Sequence, residues 1–144
     1  MQADGVFLEL LGLDSPKAAY LAGFFDGEGS IGSCVNVNGV HSSITITVTN
    51  KDPRVLAIFK ASFGGNIYKN RAPLGSCLEW KAAGKQAATT LRAMLPFLIL
   101  KKDRAELALA VISIVRLRNK QPVRQALIKQ IHEINRQSNA SLKV

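Results

Sequence analysis

The residues best placed to do chemistry are two carboxylates, Asp26 and Glu28, in the run Tyr20-Leu-Ala-Gly-Phe-Phe-Asp-Gly-Glu-Gly-Ser-Ile-Gly32. Just upstream, Ser15-Pro16 reads as a helix start, a capping hydroxyl followed by a ring pre-set for the first helical position. The helix then runs from Lys17 until Gly27 and Gly29 unwind it. Glu28 thus falls at a carbonyl-rich terminus that already carries partial negative charge, the wrong end for a carboxylate. Ala19, Gly23 and Gly27 recur every four residues, a stripe of near-bare backbone able to receive another helix at close range. Leu21, Phe24 and Phe25 point elsewhere and fill a core. If the bare face meets its own two-fold copy, two Glu28 side chains converge, and like charges repel. Such a point is poor when empty and favourable around divalent cations that take oxygen ligands, as magnesium does.

The nine residues Leu21-Ala-Gly-Phe-Phe-Asp-Gly-Glu-Gly29 resemble the signature of the LAGLIDADG homing endonucleases, with the fixed Leu, Ala, Gly, Asp, acid and Gly positions all matched. The resemblance implies an α+β fold, αββαββα, in which helices cover a four-stranded antiparallel saddle sheet. It implies that Glu28, at the eighth position, binds catalytic Mg2+ or another divalent cation such as Mn2+, with Gly27 offering its carbonyl. Glu stands here where Asp is commoner, and both ligate magnesium. The motif helices of the family pack at a two-fold axis, which points to Ala19, Ala22, Gly23 and Asp26 as the dimer interface. One copy of the motif and no internal repeat imply a homodimer. By alignment with single-motif relatives, Asn50 stands at the end of the second strand where Gln is usual. Lys101 aligns with a lysine that follows the Pro-Phe-Leu segment, with Lys102 the choice if the register slips by one. Both would assist the carboxylate and its metal, the lysine by offsetting charge at the phosphate. The implied activity is a site-specific, staggered double-strand break in a long pseudo-palindromic DNA target, serving intron or intein mobility. The alternative on the same fold is a non-cleaving nucleic-acid-binding module, an intron RNA maturase or a DNA-binding regulator.

These residues need a scaffold and a charged surface, and the composition supplies both. A chain of 144 residues that is 47% hydrophobic is long enough for one sizeable core and too apolar to be disordered. Nineteen Lys and Arg against ten Asp and Glu leave a net charge of +9, which suits a polyanionic partner. Charge alone does not choose between DNA, RNA and an acidic membrane. Cys34 and Cys77 have neither metal-ligand spacing nor the density of a disulfide scaffold, and His41 and His132 stand isolated. The run Val6 to Leu13 is short, with Asp4 and Glu9 where a secretion signal has positive flanks. The longest apolar run, Leu107 to Val115, is nine residues, too short to span a bilayer. An intracellular protein is expected, in a prokaryotic cytoplasm or an organelle matrix, with no membrane partner.

One domain is expected over 1–144, with a lead-in at 1–14, a core at 15–118 and a C-terminal helix and tail at 119–144. Val6, Phe7, Leu10 and Leu11 form a short helical turn in the lead-in. After the motif helix the period changes to two. Ile31, Val35 and Val37 alternate with polar residues up to Asn38-Gly39, a strong hairpin turn. The return strand puts Ile44, Ile46 and Val48 on one face and Ser43, Thr45, Thr47 and Thr49 on the other. Asp52-Pro53 opens a second helix that Gly64-Gly65 ends. A second hairpin follows, over 66–71 and 76–82, turning at 72–75. In it Leu78 and Trp80 face the core, while Ile67 and Tyr68 compete for the interior. A polar and largely uncharged sheet face suits a DNA major groove. Asn36, Asn38, Ser43, Thr45, Thr47, Lys69, Arg71, Glu79 and Lys81 are the candidate base-contacting residues. A third helix stops at Pro96. A long one spans 103–118 with Leu107, Leu109, Ile112 and Ile114 among its apolar residues. A last one opens at Pro122, packs Val123, Leu127, Ile131 and Ile134, and frays from Ser138.

Overall fold

Carboxylates set the two helix starts closest to the motif. Asp14 accepts a hydrogen bond from the Lys17 N–H at 2.8 Å, with Pro16 in the first turn, so the motif helix begins at Ser15. The expected Ser15 cap is therefore displaced by one residue, because a charged acceptor holds the free N–H groups more strongly than a hydroxyl. Asp52 does the same one helix later, accepting from the Arg54 N–H at 2.9 Å.

The computed structural model describes residues 5–35, 41–69, 77–114 and 121–141. Helix α1 (Gly5–Leu10) leads to the motif helix α2 (Ser15–Glu28), then strands β1 (Gly29–Val35) and β2 (His41–Asn50). Helix α3 (Pro53–Phe63) and strands β3 (Asn66–Lys69) and β4 (Leu78–Ala83) follow. Helix α4 (Gly84–Met94), a 3-10 turn at Leu95–Phe97, α5 (Lys102–Ile114) and α6 (Gln121–Ser141) complete the order. The expected turns at Asn38-Gly39 and 72–75, with Val37, lie outside the described residues.

The strands form one antiparallel sheet in the order β1-β2-β4-β3. Period-two alternation decides its faces. Ile44, Ile46 and Val48 of β2 are buried, while Ser43, Thr45, Thr47 and Thr49 are half-exposed. Trp80 is fully buried on the same face as Val48 and Ile67, which settles the competition in β3 for Ile67 and leaves Tyr68 outside. A file of rings connects motif helix to sheet: Phe24 to Phe59 at 6.4 Å and Phe59 to Trp80 at 4.9 Å between centroids.

The Trp80 indole N–H donates to the Gly64 carbonyl at 2.8 Å, and the positive φ of both Gly64 and Gly65 explains the glycine pair that ends α3. Gly65 has φ of 80°, and a Cβ there would stand 2.4 Å from the Lys81 carbonyl oxygen. Gly65→Ala is expected to destabilise the domain by about 1–3 kcal/mol from backbone strain, read as a lower denaturant midpoint at unchanged m-value.

Several expected core positions change. In α1, Val6 and Leu10 are exposed and Leu8 is buried, with Leu13 just beyond; Phe7 and Leu11 pack at the edge. In α5 the buried stripe is Ala105, Ala108 and Val111, with Leu107, Leu109 and Ile112 at its margins. Small residues let that helix approach the sheet closely, so its bulkier side chains are pushed to the flanks. In α6, Ile128 joins Ile131 in the core, Ile134 is half-exposed, and the helix runs to Ser141 rather than fraying at Ser138. The side chains of Ile114 and Val123 lie outside those described.

Candidate functional site

The end of α2 is shaped by one close approach. A Cβ at Gly29 would lie 2.4 Å from the Phe25 ring, so only glycine lets the chain turn over that buried side chain into β1. The Gly29 N–H donates to the Phe25 carbonyl and closes the helix. Glu28 is left as the last helical residue, exposed where helix turns into sheet, with Gly27 exposed beside it.

Asp26 faces the other way. Its Oδ2 accepts from the N–H groups of Ile99 at 2.7 Å and Leu100 at 3.2 Å, and its Oδ1 accepts from Lys101 at 3.0 Å. In return the Lys101 ammonium donates to the Asp26 carbonyl. Lys101 is only 8% exposed, whereas Lys102 is exposed and begins α5. The one-residue ambiguity in the sequence is thereby resolved in favour of Lys101 as the lysine at the end of the motif helix. Burial pushes the Lys101 ammonium below the ordinary lysine pKa, Arg104 adds to this, and the Asp26 and Glu28 carboxylates pull it back up. Arg104, one turn along α5, donates to Asn135 of α6 at 2.8 Å, and Asn135 donates to the Ile31 carbonyl at 3.1 Å. Burial lowers the Arg104 pKa, against the pull of Asp26. Its Nε is buried without a hydrogen-bond partner among the described residues.

Asn50 ends β2 on the sheet face of Leu78, with its Oδ1 accepting from the Asp52 N–H at 2.8 Å. Arg54 in turn forks onto the Asp52 carboxylate, with Nη2 at 2.6 Å. This guanidinium and the N–H of Arg54 lower the Asp52 pKa to about 2. Tyr20 and Phe24 of α2 share a cleft of about 420 Å³ with Asn50 and Arg54.

Of the four residues expected at a two-fold interface, Ala19 and Gly23 are exposed on α2, and a Cβ at Gly23 or Gly27 would meet nothing within 4 Å among the described residues. Ala22 is corrected: it is fully buried in its own chain, because it shares the core face with Ala18, Leu21 and Phe25. Asp26 is corrected too, since its carboxylate is held by residues 99–101 of its own chain. Ile99 and Leu100, not among the residues expected from sequence, are 82% and 71% exposed and bonded to Asp26 in the last turns of α2. Two apolar residues in an irregular connector, next to Lys101-Lys102, were the available signal.

On the open sheet face the register brings Ser43, Thr45, Thr47, Glu79 and Lys81 together. Lys81 pairs with Glu79 at 3.4 Å and sits 5.8 Å over the ring of Tyr68, a half-exposed aromatic the sequence reading did not select. Lys69 is corrected: it pairs with Leu78 and so has the parity of Ile67, the helix-covered face, at the exposed end of its strand. Asn36, Asn38 and Arg71 lie outside the described residues.

Among the described residues no three His, Cys, Asp or Glu side chains converge. One chain therefore offers the Glu28 carboxylate and the carbonyls at the end of α2, hard oxygen donors that fit magnesium, as part of a coordination shell.

No protein-family sequence model matches the chain, and no curated protein matches it by sequence. Solved structures do. The homing endonuclease I-CvuI in complex with its target superposes with a TM-score of 0.69 at 24% identity, over 83% of this chain and 82% of that one. The archaeal intron-encoded homing endonuclease I-Vdi141I complexed with DNA gives 0.70 at 19% identity, over 82% of this chain and 83% of that one. The LAGLIDADG meganuclease I-AabMI bound to uncleaved DNA gives 0.60 at 16% identity, over 72% of this chain and 38% of that one. At these identities the similarity is one of fold.

Proposed function

From a chain that has the LAGLIDADG homing endonuclease fold, we propose a site-specific DNA endonuclease that makes divalent-metal-dependent double-strand breaks as a homodimer. The observation that carries the proposal is the exposed Glu28 at the end of a helix whose Gly23 and Gly27 are demanded by nothing among the described residues of their own chain. An incomplete acidic site beside a face that admits close approach is completed by a second copy of that face.

The roles follow from position. Glu28 from each copy and the Gly27 carbonyl are the residues that would hold the cations. A bound divalent ion supplies Lewis-acid stabilisation of a phosphodiester and lowers the pKa of a ligated water. Lys101 offers a fixed positive charge beside Glu28, desolvated and so more effective against charge growing on a phosphate than a solvated lysine. Asn50 orients solvent through its amide from the strand end. Ser43, Thr45, Thr47, Glu79 and Lys81, with Tyr68 added from the structure, read bases along the groove. Each good bidentate contact contributes about 1–3 kcal/mol, so discrimination accumulates over a long target. A two-fold dimer reads the two half-sites of a pseudo-palindrome. Intron or intein mobility inside a prokaryotic cytoplasm or an organelle belongs to the same proposal.

The test is a cleavage selection on randomised duplex DNA, run with magnesium and with chelator. Recovery of one long site cut only with magnesium supports the proposal. Sequence-specific binding without cutting, or preference for RNA, would favour the non-cleaving alternative. Lys101→Met sharpens the assignment. It should lower single-turnover cleavage by about 10²–10³-fold, the loss typical of one transition-state donor. Its melting temperature should hold or rise, because a buried ammonium is replaced by an apolar side chain of similar length.

A further inference from the structure

Asp26 performs a task that the interface assignment does not describe. Ahead of α5, the N–H groups of residues 99 and 100 in the connector and of Lys101 lie outside the helical ladder, and backbone donors need acceptors. The Lys101 carbonyl accepts the first helical bond, from Ala105 at 2.9 Å, so Lys101 is the cap residue of α5. Their acceptor comes from seventy-odd residues upstream: the Asp26 carboxylate takes all three N–H groups, two on Oδ2 and one on Oδ1. A carboxylate is favoured there by the positive end of the α5 dipole. The same residue receives the Lys101 ammonium on its backbone carbonyl. Lys101 is therefore gripped at both ends, its backbone N–H by the Asp26 side chain and its ammonium by the Asp26 main chain.

We infer that Asp26 is a positioning residue, whose carboxylate clamps the start of the fifth helix to the motif helix so that the Lys101 ammonium is held beside Glu28. This rests on the nuclease reading and deepens it. Asp26 touches neither DNA nor metal in this role and acts through Lys101. Arg104, held by Asn135, stands one turn behind and backs the clamp with a second positive charge. Asparagine is a poor substitute because only one of its two terminal atoms accepts, while the other would confront N–H donors.

The experiment measures Asp26→Asn and Asp26→Ser, so that a folding failure in one leaves the other to decide. Single-turnover cleavage of the selected site should fall about 10–100-fold, as for partners that orient catalytic ligands without contacting the reaction. Target affinity in chelator should stay within about threefold, a difference of under 1 kcal/mol. In a Lys101→Met background the same substitutions should cost nothing further, since the group being positioned is gone. Amide exchange at Ile99, Leu100 and Lys101 should accelerate in the variants, a readout independent of activity. Cleavage at the unaltered rate, or a full additional loss in the Lys101→Met background, overturns the inference. If the unaltered protein cuts no site at all, the nuclease reading fails first, and unchanged amide exchange at 99–101 refutes the clamp in its own right.

Discussion

Glu28→Gln should abolish cleavage of the selected site while binding to it survives. The side chain keeps its length and one acceptor but loses the charge that pairs with a divalent cation. Removal of a single donor to a developing oxyanion already lowers rates by about 10²–10³-fold. Because a homodimer carries the change twice, the expected loss is at least about a thousandfold, below detection in a plasmid assay. Glu28 is exposed at the end of α2, outside the core, so the melting temperature should be unchanged. Target affinity in chelator should be equal or tighter, since two carboxylates no longer repel one another or the DNA backbone. Cleavage by Glu28→Gln at more than a tenth of the unaltered rate would remove Glu28 from the site. Loss of folding would make it a structural residue.

The second large effect separates folding from assembly. Gly23→Leu places a branched side chain where the described residues of the single chain leave open space, with none of their heavy atoms within 4 Å of the added Cβ. Within one chain the change should be harmless or slightly favourable, because leucine is a better helix former than glycine by roughly 0.5–1 kcal/mol. Between two chains it should be prohibitive, since helices in contact through glycine cannot approach across a leucine. The expected result is a folded monomer, with an equal or higher melting temperature at low concentration. Sedimentation should show half the mass, and double-strand cleavage should be absent. A dimer that survives Gly23→Leu would move the interface away from the glycine stripe. The apolar Ile99 and Leu100 beside the same helix end would then be the next surface to test.

What was legible in the sequence was local. The motif helix, its stop at Gly29 (the helix runs on through Gly27, where unwinding was also expected), and the alternation in β2 are short-range consequences of glycine geometry and side-chain period. The Asp52-Pro53 helix start and the Gly64-Gly65 end were legible for the same reason. Glu28 at a helix terminus followed directly from that register, and Lys101 came from family resemblance with one residue of slack. The misses were of another kind. Ala22 sits one position from Gly23 on a helix, which is enough to turn it from the open face into the core. Lys69 has the charge of a DNA contact, but strand parity follows from which neighbour the core accepts. Trp80 had to be placed before Ile67 could be preferred over Tyr68. In α5 the alanines took the core because the packing distance to the sheet was short, a quantity no periodicity contains.

The amino-acid order by itself determined that a carboxylate would stand at the end of a glycine-striped helix, ahead of a hairpin with one polar face. Those features depend on neighbours within a few positions. Only the folded chain decided what surrounds that carboxylate. It brought Lys101 seventy-five residues across the sequence to the last turn of the motif helix and turned Asp26 inward to hold it. The reason is the N–H groups of residues 99–101, which no helical carbonyl reaches ahead of α5: backbone donors seek an acceptor, and which acceptor reaches them depends on how α2 and the start of α5 pack, not on any stretch of sequence read alone.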